Sequence, residues 1–172
     1  MTQGWPQLEG AQVVLRPVVP ADEPTLRWIF ADPSVAEWWG DPDRSVHDAL
    51  GLDEDEAGFV IEAGGQAVGY IQCYENSDPM YRNAGIDLAL HGDWQGRRLG
   101  PDAIRTLARH LIDVRGHHRL TIDPAARNTR AIRAYEKVGF KPVGVMRQYE
   151  RGLSGEWHDG LLMEMLAGEL RD

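Results

Sequence analysis

Cysteine is almost absent from this chain, and long apolar runs are lacking altogether. Cys73 is the single cysteine among 172 residues, so no disulfide can form within the chain, which indicates the reducing cytoplasm. Cys73 lies in an apolar strand pattern, where we expect a buried and inert thiol. No apolar run approaches the roughly 20 residues that cross a bilayer, and the N-terminus lacks a basic region followed by an apolar one. We therefore predict a cytoplasmic protein with no membrane partner.

Positive charge is scarce as well. The chain has 18 lysines and arginines against 27 aspartates and glutamates, which gives a net charge of −9. This balance disfavours nucleic acid as a partner and suits a small cationic molecule. Nine acidic residues fall within residues 32–56, against one arginine, Arg44. That segment is either a solvated, mobile stretch or an acidic rim beside a site for a polycation, and composition alone favours the first reading.

Hydrophobic periodicity predicts one α/β domain over residues 1–172, with helices interleaved with a mixed, mostly antiparallel sheet. We predict about seven strands, at residues 13–18, 58–62, 67–74, 85–90, 120–122, 143–149 and 158–166. About four helices are predicted, around residues 23–31, 35–39, 99–115 and 128–138. A helix that follows a central strand places a ligand crevice at the C-terminal end of that strand. The pattern does not distinguish a monomer from a homodimer.

A loop rich in glycine and arginine, residues 95–101, precedes the third predicted helix. The first backbone amides of a helix lack intrahelical partners, so a pyrophosphate would satisfy several of them while Arg97 and Arg98 add charge-assisted contacts. The alternative is a solvent-exposed loop with two surface arginines, and the Gly-x-x-x-Gly spacing taken alone favours that alternative. Asn128, at the start of the fourth helix, is a helix cap, a ligand contact or both.

Two carboxylates and a tyrosine are candidates for proton transfer. Asp87 stands among apolar residues of a predicted strand, so it is paired, protonated or facing a cavity, unless it points outward to solvent. Facing a cavity, it could accept a proton from an amine or hold an ammonium group. Tyr135 lies in mid-helix and is either a packed side chain or a proton donor to a leaving thiolate. Asp123 ends a strand, as a turn former or as a carboxylate at the opening of the crevice.

Two pairs of ring side chains complete the candidates. Trp38 and Trp39 share a short predicted helix, where one ring is expected in the core and the other could stack on a sugar or a cation. His117 and His118 have no ligand-spaced partner nearby in the sequence, so we predict a surface turn there and no metal site.

Two segments together resemble a known family. Gln95-Gly96-Arg97-Arg98-Leu99-Gly100 resembles the acetyl-CoA pyrophosphate loop of the GNAT superfamily of N-acetyltransferases, Q/R-x-x-G-x-G/A, with Arg98 at its first glycine. Residues 128–140 resemble the second cofactor motif of that superfamily, about thirty residues further on. The resemblance implies a GNAT fold and acetyl-CoA as cofactor.

A narrower resemblance, to bacterial aminoglycoside 6'-N-acetyltransferases, rests on Glu37-Trp38-Trp39-Gly40, Gly69-Tyr70-Ile71-Gln72, Gly85-Ile86-Asp87 and Thr121-Ile122-Asp123-Pro124. The connection at residues 76–83 is short for that subfamily. The ending from Trp157 to Met163 looks more like ribosomal-protein alanine acetyltransferases. The implied reaction is acetyl transfer to a primary amine of a small cation, first the 6'-amine of an aminoglycoside. The alternatives are a protein N-terminus, a lysine-like siderophore precursor, or a non-catalytic acyl-CoA-binding module.

The resemblance also implies roles for single residues. Asp87 would be the base and Tyr135 the proton donor. The implied cofactor-binding residues are Leu88, Leu90, Gln95, Arg97, Arg98, Leu99, Gly100, Pro101, Asn128, Ala131 and Tyr135. The implied acceptor-binding residues are Trp38, Trp39, Gln72, Tyr74, Asp87 and Asp123. Under this reading the acidic segment at residues 32–56 gains weight as a rim that attracts a polycation.

Overall fold

The computed structural model describes residues 4–172, and their frame is one eight-stranded sheet. The strands are β1 (Leu8–Glu9), β2 (Val14–Pro17), β3 (Glu56–Ala63), β4 (Gln66–Asn76), β5 (Asn83–Leu90), β6 (Arg119–Ile122), β7 (Lys141–Arg151) and β8 (Trp157–Leu166). They lie side by side in the order β1-β2-β3-β4-β5-β6-β8-β7, and among these pairs β5 and β6 alone run parallel. The mixed, mostly antiparallel α/β sheet is confirmed. The additional strand is β1, whose two residues are too few to show a periodicity.

Five α-helices accompany the sheet within the described residues: α1 (Glu23–Phe30), α2 (Pro33–Trp39), α3 (Pro42–Leu50), α4 (Leu99–Asp113) and α5 (Thr129–Val138). The expectation of about four helices missed α3, and the reading of its segment as solvated and mobile is wrong there. The Asp41 carboxylate caps α3 at the Arg44 amide, and the helix buries Val46 and Ala49 against the core. Charged residues on the outer face of α3 dominate the composition of this segment, so the composition gave no sign of the apolar side.

Helices cover both faces of the sheet. On one face α4 and α5 pack with a cluster that includes Ile71 of β4 and Leu88 of β5. On the other face α1, α2 and α3 pack with Tyr70 and Ala89, which are direct partners across β4 and β5. Because successive side chains of a strand alternate between faces, Asp87 shares the face of Ala89, on the side of α1–α3.

The parallel pair of β5 and β6 is short, and this opens the sheet. The two strands are in register at Ala84 with Leu120 and at Gly85 with Thr121. β6 runs on to Ile122 paired with β8, whereas β5 runs on to Leu90 paired with β4. The crevice that was predicted at the C-terminal end of a central strand therefore lies between these two strands.

Candidate active site

The opening between β5 and β6 widens into a cavity of about 1380 Å³. This exceeds the roughly 300–1,000 Å³ of an ordinary small-molecule pocket, so it has room for a nucleotide and a second molecule. Most of the predicted site residues line it: Trp38, Trp39, Asp87, Leu88, Leu90, Gln95, Arg98, Leu99, Gly100, Pro101, Asp123, Asn128, Ala131 and Tyr135. The structure thus brings together residues that are far apart in the sequence.

The loop before α4 has the shape of an anion cradle, as the family resemblance implies, and pyrophosphate binding there stays a prediction. Gly96 and Arg98 both have left-handed backbone conformations, with φ of 77° and 64°. Such residues curl successive amides toward one point, and the first amides of α4 lack intrahelical acceptors, so the loop is suited to an anion such as a pyrophosphate. For Arg98 this conformation costs about 1–2 kcal/mol, a strain that glycine at the same place would avoid.

Helix α5 contributes a cap and a buried phenol. Asn128 Oδ1 accepts a hydrogen bond from the Ala131 amide at 3.2 Å, so Asn128 caps α5 and also lines the cavity. Tyr135 is buried, and its pKa is raised first by desolvation and then by the negative charges of Asp87 and Asp123. The phenol therefore stays protonated at neutral pH and can donate its hydrogen into the cavity.

Two successive side-chain hydrogen bonds connect Asp87 to residues of β4. The Tyr70 hydroxyl donates to Gln72 Oε1 at 3.0 Å, and Gln72 Nε2 donates to Asp87 Oδ2 at 3.4 Å. Burial, reinforced by Asp123, raises the pKa of Asp87 to about 6. Asp87 is therefore mostly ionised at neutral pH, yet basic enough to take a proton, which is the combination that a general base needs.

A β-bulge in β7 adds two residues to this wall that the sequence analysis missed, Tyr149 and Glu150. The register of β7 against β8 shifts between Met146 and Glu150, and Gln148 within the shift has a φ of 50°. The Gln148 amide donates to Asp159 Oδ1 at 2.9 Å, which holds the bulge. Bulges change the direction in which side chains point, and here the following two side chains border the cavity.

Tyr149 and Glu150 join the carboxylates at this end of the cavity. The Tyr149 hydroxyl donates to Asp123, and its ring lies so close to Gly160 that a Cβ there would be 2.8 Å from Tyr149 Cδ1. Burial and then the charge of Asp123 raise the pKa of Glu150, and burial also raises the pKa of Asp123. Three carboxylates, of Asp87, Asp123 and Glu150, thus border one cavity and disfavour one another's ionisation.

Three predicted site residues lie away from the lining, and their predicted ligand contacts stay predictions. The Arg97 guanidinium lies 4.7 Å from the Trp94 ring and donates to the Asp93 carbonyl. Gln72 reaches the site through Asp87, as described above. Tyr74 is half exposed, and its hydroxyl is 3.4 Å from Thr121 Oγ1.

Of the tryptophan pair, one ring packs against the core as expected, although both residues line the cavity. Trp39 packs against Phe30 with ring centroids 5.1 Å apart, and its Nε1 donates to the Leu88 carbonyl at 3.1 Å. Trp38 lines the cavity, and the Arg127 guanidinium lies 4.5 Å from its ring centroid. That face of Trp38 therefore already has a cation over it.

Two sequence expectations outside the cavity have opposite outcomes. Cys73 is buried and burial raises its pKa to about 12, which confirms the inert thiol. His117 is buried with its Nε2 2.7 Å from Glu75 Oε1, so the expectation of a surface turn is wrong for this residue. The partner lies on β4, and such long-range pairing leaves no local signal in the sequence.

A family model described as an acetyltransferase (GNAT) domain matches residues 12–141, more than half of the chain. The chain belongs to the GNAT acetyltransferase family. GNAT acetyltransferases use acetyl-CoA, in agreement with the predicted cofactor. Within the described residues, no helix is long and apolar enough to cross a membrane.

Named relatives of this GNAT chain modify amines. It is 29% identical over 133 residues to aminoglycoside N(6')-acetyltransferase type 1 of Klebsiella pneumoniae, and the match spans 65% of this chain and 65% of the length of that relative. It is 23% identical over 163 residues to spermidine N(1)-acetyltransferase of Escherichia coli strain K12, with 88% of this chain and 84% of that one covered. A solved structure of AAC(6')-Ib in complex with paromomycin and acetyl-CoA has a TM-score of 0.74 at 24% identity, with 92% and 96% covered, which shows a shared fold.

Proposed function

We propose that this protein transfers an acetyl group from acetyl-CoA to a primary amine of a small polycation, with the 6'-amine of an aminoglycoside as the first acceptor class. The observation that carries this proposal is the placing of Asp87, Asp123 and Glu150 around the same cavity as the anion cradle at residues 95–101. One end of the cavity thus suits a pyrophosphate and the other suits a cation.

Backbone directions support the proposed cofactor end. The His91 amide donates to the Val68 carbonyl of β4, and backbone groups of a strand alternate in direction, so those of Leu88 and Leu90 face away from β4 toward the cavity. The Leu88 carbonyl accepts from Trp39 and the Leu90 carbonyl from Gln95. The amides of both leucines are then the groups that would meet the pantetheine arm and polarise the thioester carbonyl.

Side chains at the acceptor end would carry out the proton transfers. Acetyl-CoA, when bound, supplies the acetyl group as a thioester. Asp87 would take the proton that the acceptor ammonium must lose before its nitrogen can attack. Tyr135 would donate its phenolic hydrogen to the thiolate as the carbon–sulfur bond breaks, and the second proton that the attacking nitrogen must lose would restore the phenol. Asp123 and Glu150 would hold other ammonium groups of the acceptor, and α2 would border it through Trp38.

A linear polyamine is the second candidate acceptor. Three carboxylates can pair with several ammonium groups whether the acceptor is flexible or rigid. In addition, one relative is named a spermidine acetyltransferase. A rigid aminocyclitol loses less conformational entropy on binding than a polyamine does, which favours the first candidate in a wide cavity.

A thiol-release assay with acetyl-CoA tests the proposal. Kanamycin, tobramycin, spermidine, a peptide with a free N-terminus, N-hydroxylysine and a simple monoamine would be compared at equal concentrations. We expect release with the aminoglycosides, less with the polyamine and least with the monoamine. Turnover of the peptide or of N-hydroxylysine alone would contradict the acceptor class. Binding of acetyl-CoA without turnover of any amine would contradict catalysis itself.

A further inference from the structure

The side chain of Gln95, the first residue of the cradle, has every hydrogen-bonding group of its amide engaged. Its Nε2 donates to Ser34 Oγ at 3.0 Å and to the Leu90 carbonyl at 2.8 Å. Its Oε1 accepts from Arg130 Nη1 at 3.2 Å. Gln95 therefore ties together α2, the end of β5 and α5, all three of which border the cavity.

The hydrogen bonds of this network are donated from Gln95 to Ser34 and from Ser34 to Asp32. The Ser34 hydroxyl donates its one hydrogen to Asp32 Oδ1, so its oxygen is left to accept from Gln95. The same carboxylate oxygen accepts from the Ser34 amide at 2.9 Å. The position of Ser34 Oγ, and with it the Gln95 amide, therefore depends on Asp32.

His91 holds the other oxygen of Asp32. Its Nδ1 accepts from the Asp93 amide at 3.2 Å, which leaves the hydrogen on Nε2, 3.3 Å from Asp32 Oδ2. The His91 ring is buried and stacks on Trp28, with centroids 3.8 Å apart and planes inclined by 8°. Asp32 is thus fixed on both sides by groups that have little freedom to move.

We propose that Asp32 is a positioning residue for acetyl-CoA, which acts through Ser34 on Gln95 and so sets the start of the cradle and the carbonyl of Leu90. Asp32 itself does not touch the cofactor. Because Asp32 lies in the acidic segment at residues 32–56, this assigns it to the cofactor end of the cavity and not to an acidic rim for the acceptor. The inference rests on the proposed cofactor site at residues 95–101 but not on the identity of the acceptor.

The simpler alternative is that Asp32 only caps α2, and the chain contains a matched control for that role. Asp32 and Asp41 are both N-caps in an extended backbone conformation, each followed by a proline, and each accepts from a backbone amide of its helix. Asparagine is as good an N-cap as aspartate, so Asp32→Asn and Asp41→Asn both keep their helices. In Asp32→Asn the oxygen that caps α2 still faces Ser34, so the new amide hydrogens point at the Nε2 donor of His91, and the contact that holds this side chain in place from the other side is lost.

The test compares Asp32→Asn, Ser34→Ala and Ser34→Thr with Asp41→Asn. The dissociation constant of CoA is measured by calorimetry, together with the KM for acetyl-CoA, the KM for the best amine and the melting temperature. We expect Asp32→Asn and Ser34→Ala to weaken CoA binding by about tenfold, the cost of roughly one hydrogen bond to a charged partner. The KM for acetyl-CoA rises in parallel, and the KM for the amine stays unchanged. Ser34→Thr, which keeps the hydroxyl, and Asp41→Asn bind CoA as the wild type does.

Two results would overturn the inference. Equal CoA binding by Asp32→Asn and Asp41→Asn reduces Asp32 to a cap, and a rise in the amine KM with unchanged CoA binding places Asp32 at the acceptor end. The calorimetric comparison is independent of the acceptor, so failure to acetylate any amine would refute the proposed function and leave this inference standing. A wild-type protein that does not bind CoA would refute both.

Discussion

The negative charge of Asp87 should destabilise the folded protein, so Asp87→Asn should raise stability while it lowers activity. Burial, then the nearby charge of Asp123, raises the pKa of Asp87 from 3.8 to about 6, although the hydrogen bond from Gln72 opposes this. A difference of about 2 pKa units corresponds to about 3 kcal/mol of lost stability when the carboxylate is fully ionised. The neutral amide of asparagine avoids this cost and can still accept the hydrogen bond from Gln72.

The sign of the effect fixes its pH dependence. Because the folded-state pKa of Asp87 lies above the unfolded one, the cost is absent below pH 3.8, grows up to about pH 6 and is complete above it. Asp87→Asn should therefore gain about 3 kcal/mol at pH 7.5 but only about 1 kcal/mol at pH 4.5. For a chain of this length the larger gain corresponds to a rise in Tm of about 6–12 °C.

Thermal unfolding followed by circular dichroism at both pH values measures this gain, with Asp113→Asn at the exposed end of α4 as a surface control. The kcat/KM of Asp87→Asn should fall by at least about tenfold, the lower end of general-base contributions. A gain that is missing at pH 7.5, or equal at both pH values, would refute the argument that Asp87 is desolvated. Wild-type activity of the variant would refute its role as the base.

Three further substitutions test the other groups. Tyr135→Phe should lower kcat in the thiol-release assay with nearly unchanged CoA binding, and a large loss of CoA affinity would contradict the proton-donor role. Gly160→Ala should push the Tyr149 ring out of place, since the new Cβ would lie 2.8 Å from it, and raise the KM for the amine without affecting the KM for acetyl-CoA. Glu150→Gln should raise the KM for an aminoglycoside by about two- to fivefold, the loss of one partly exposed ion pair, and leave a monoamine unaffected. An equal effect on both amines would remove Glu150 from the acceptor site.

The local geometry of the proposed cofactor end could be predicted from the sequence because its signals are local. The cradle is one short loop at a helix start, and Asn128 and Tyr135 lie on the helix whose own cap and spacing place them. Turn conformations, free amides and helix caps depend on neighbours within a few residues, so a motif is enough to find them. Even the departure at Arg98 coincides with a backbone feature, its left-handed φ of 64°.

The residues of the proposed acceptor end could not be predicted from local sequence signals in the same way. Tyr149 and Glu150 reach the cavity because a bulge turns them there, and the bulge depends on Asp159 of the neighbouring strand. Trp39 lines the cavity and stays a predicted acceptor contact, but its indole N–H also donates to the Leu88 carbonyl, 49 residues away in the sequence, which no local pattern announces. Alternation along a strand predicts faces but neither bulges nor partners at this distance.

Under the proposed function, the crowding of carboxylates at the acceptor end would itself select for an acceptor with more than one ammonium group. Asp123 raises the pKa of both Asp87 and Glu150, so the three charges oppose one another. A bound ammonium would favour the ionised form of Asp87, and the acceptor would thus prepare its own base. Once Asp87 had taken that proton, a monoamine would have no charge left to offset Asp123 and Glu150. A polycation would keep those two carboxylates paired while its neutral nitrogen attacks, so the same three charges would serve binding and deprotonation in turn.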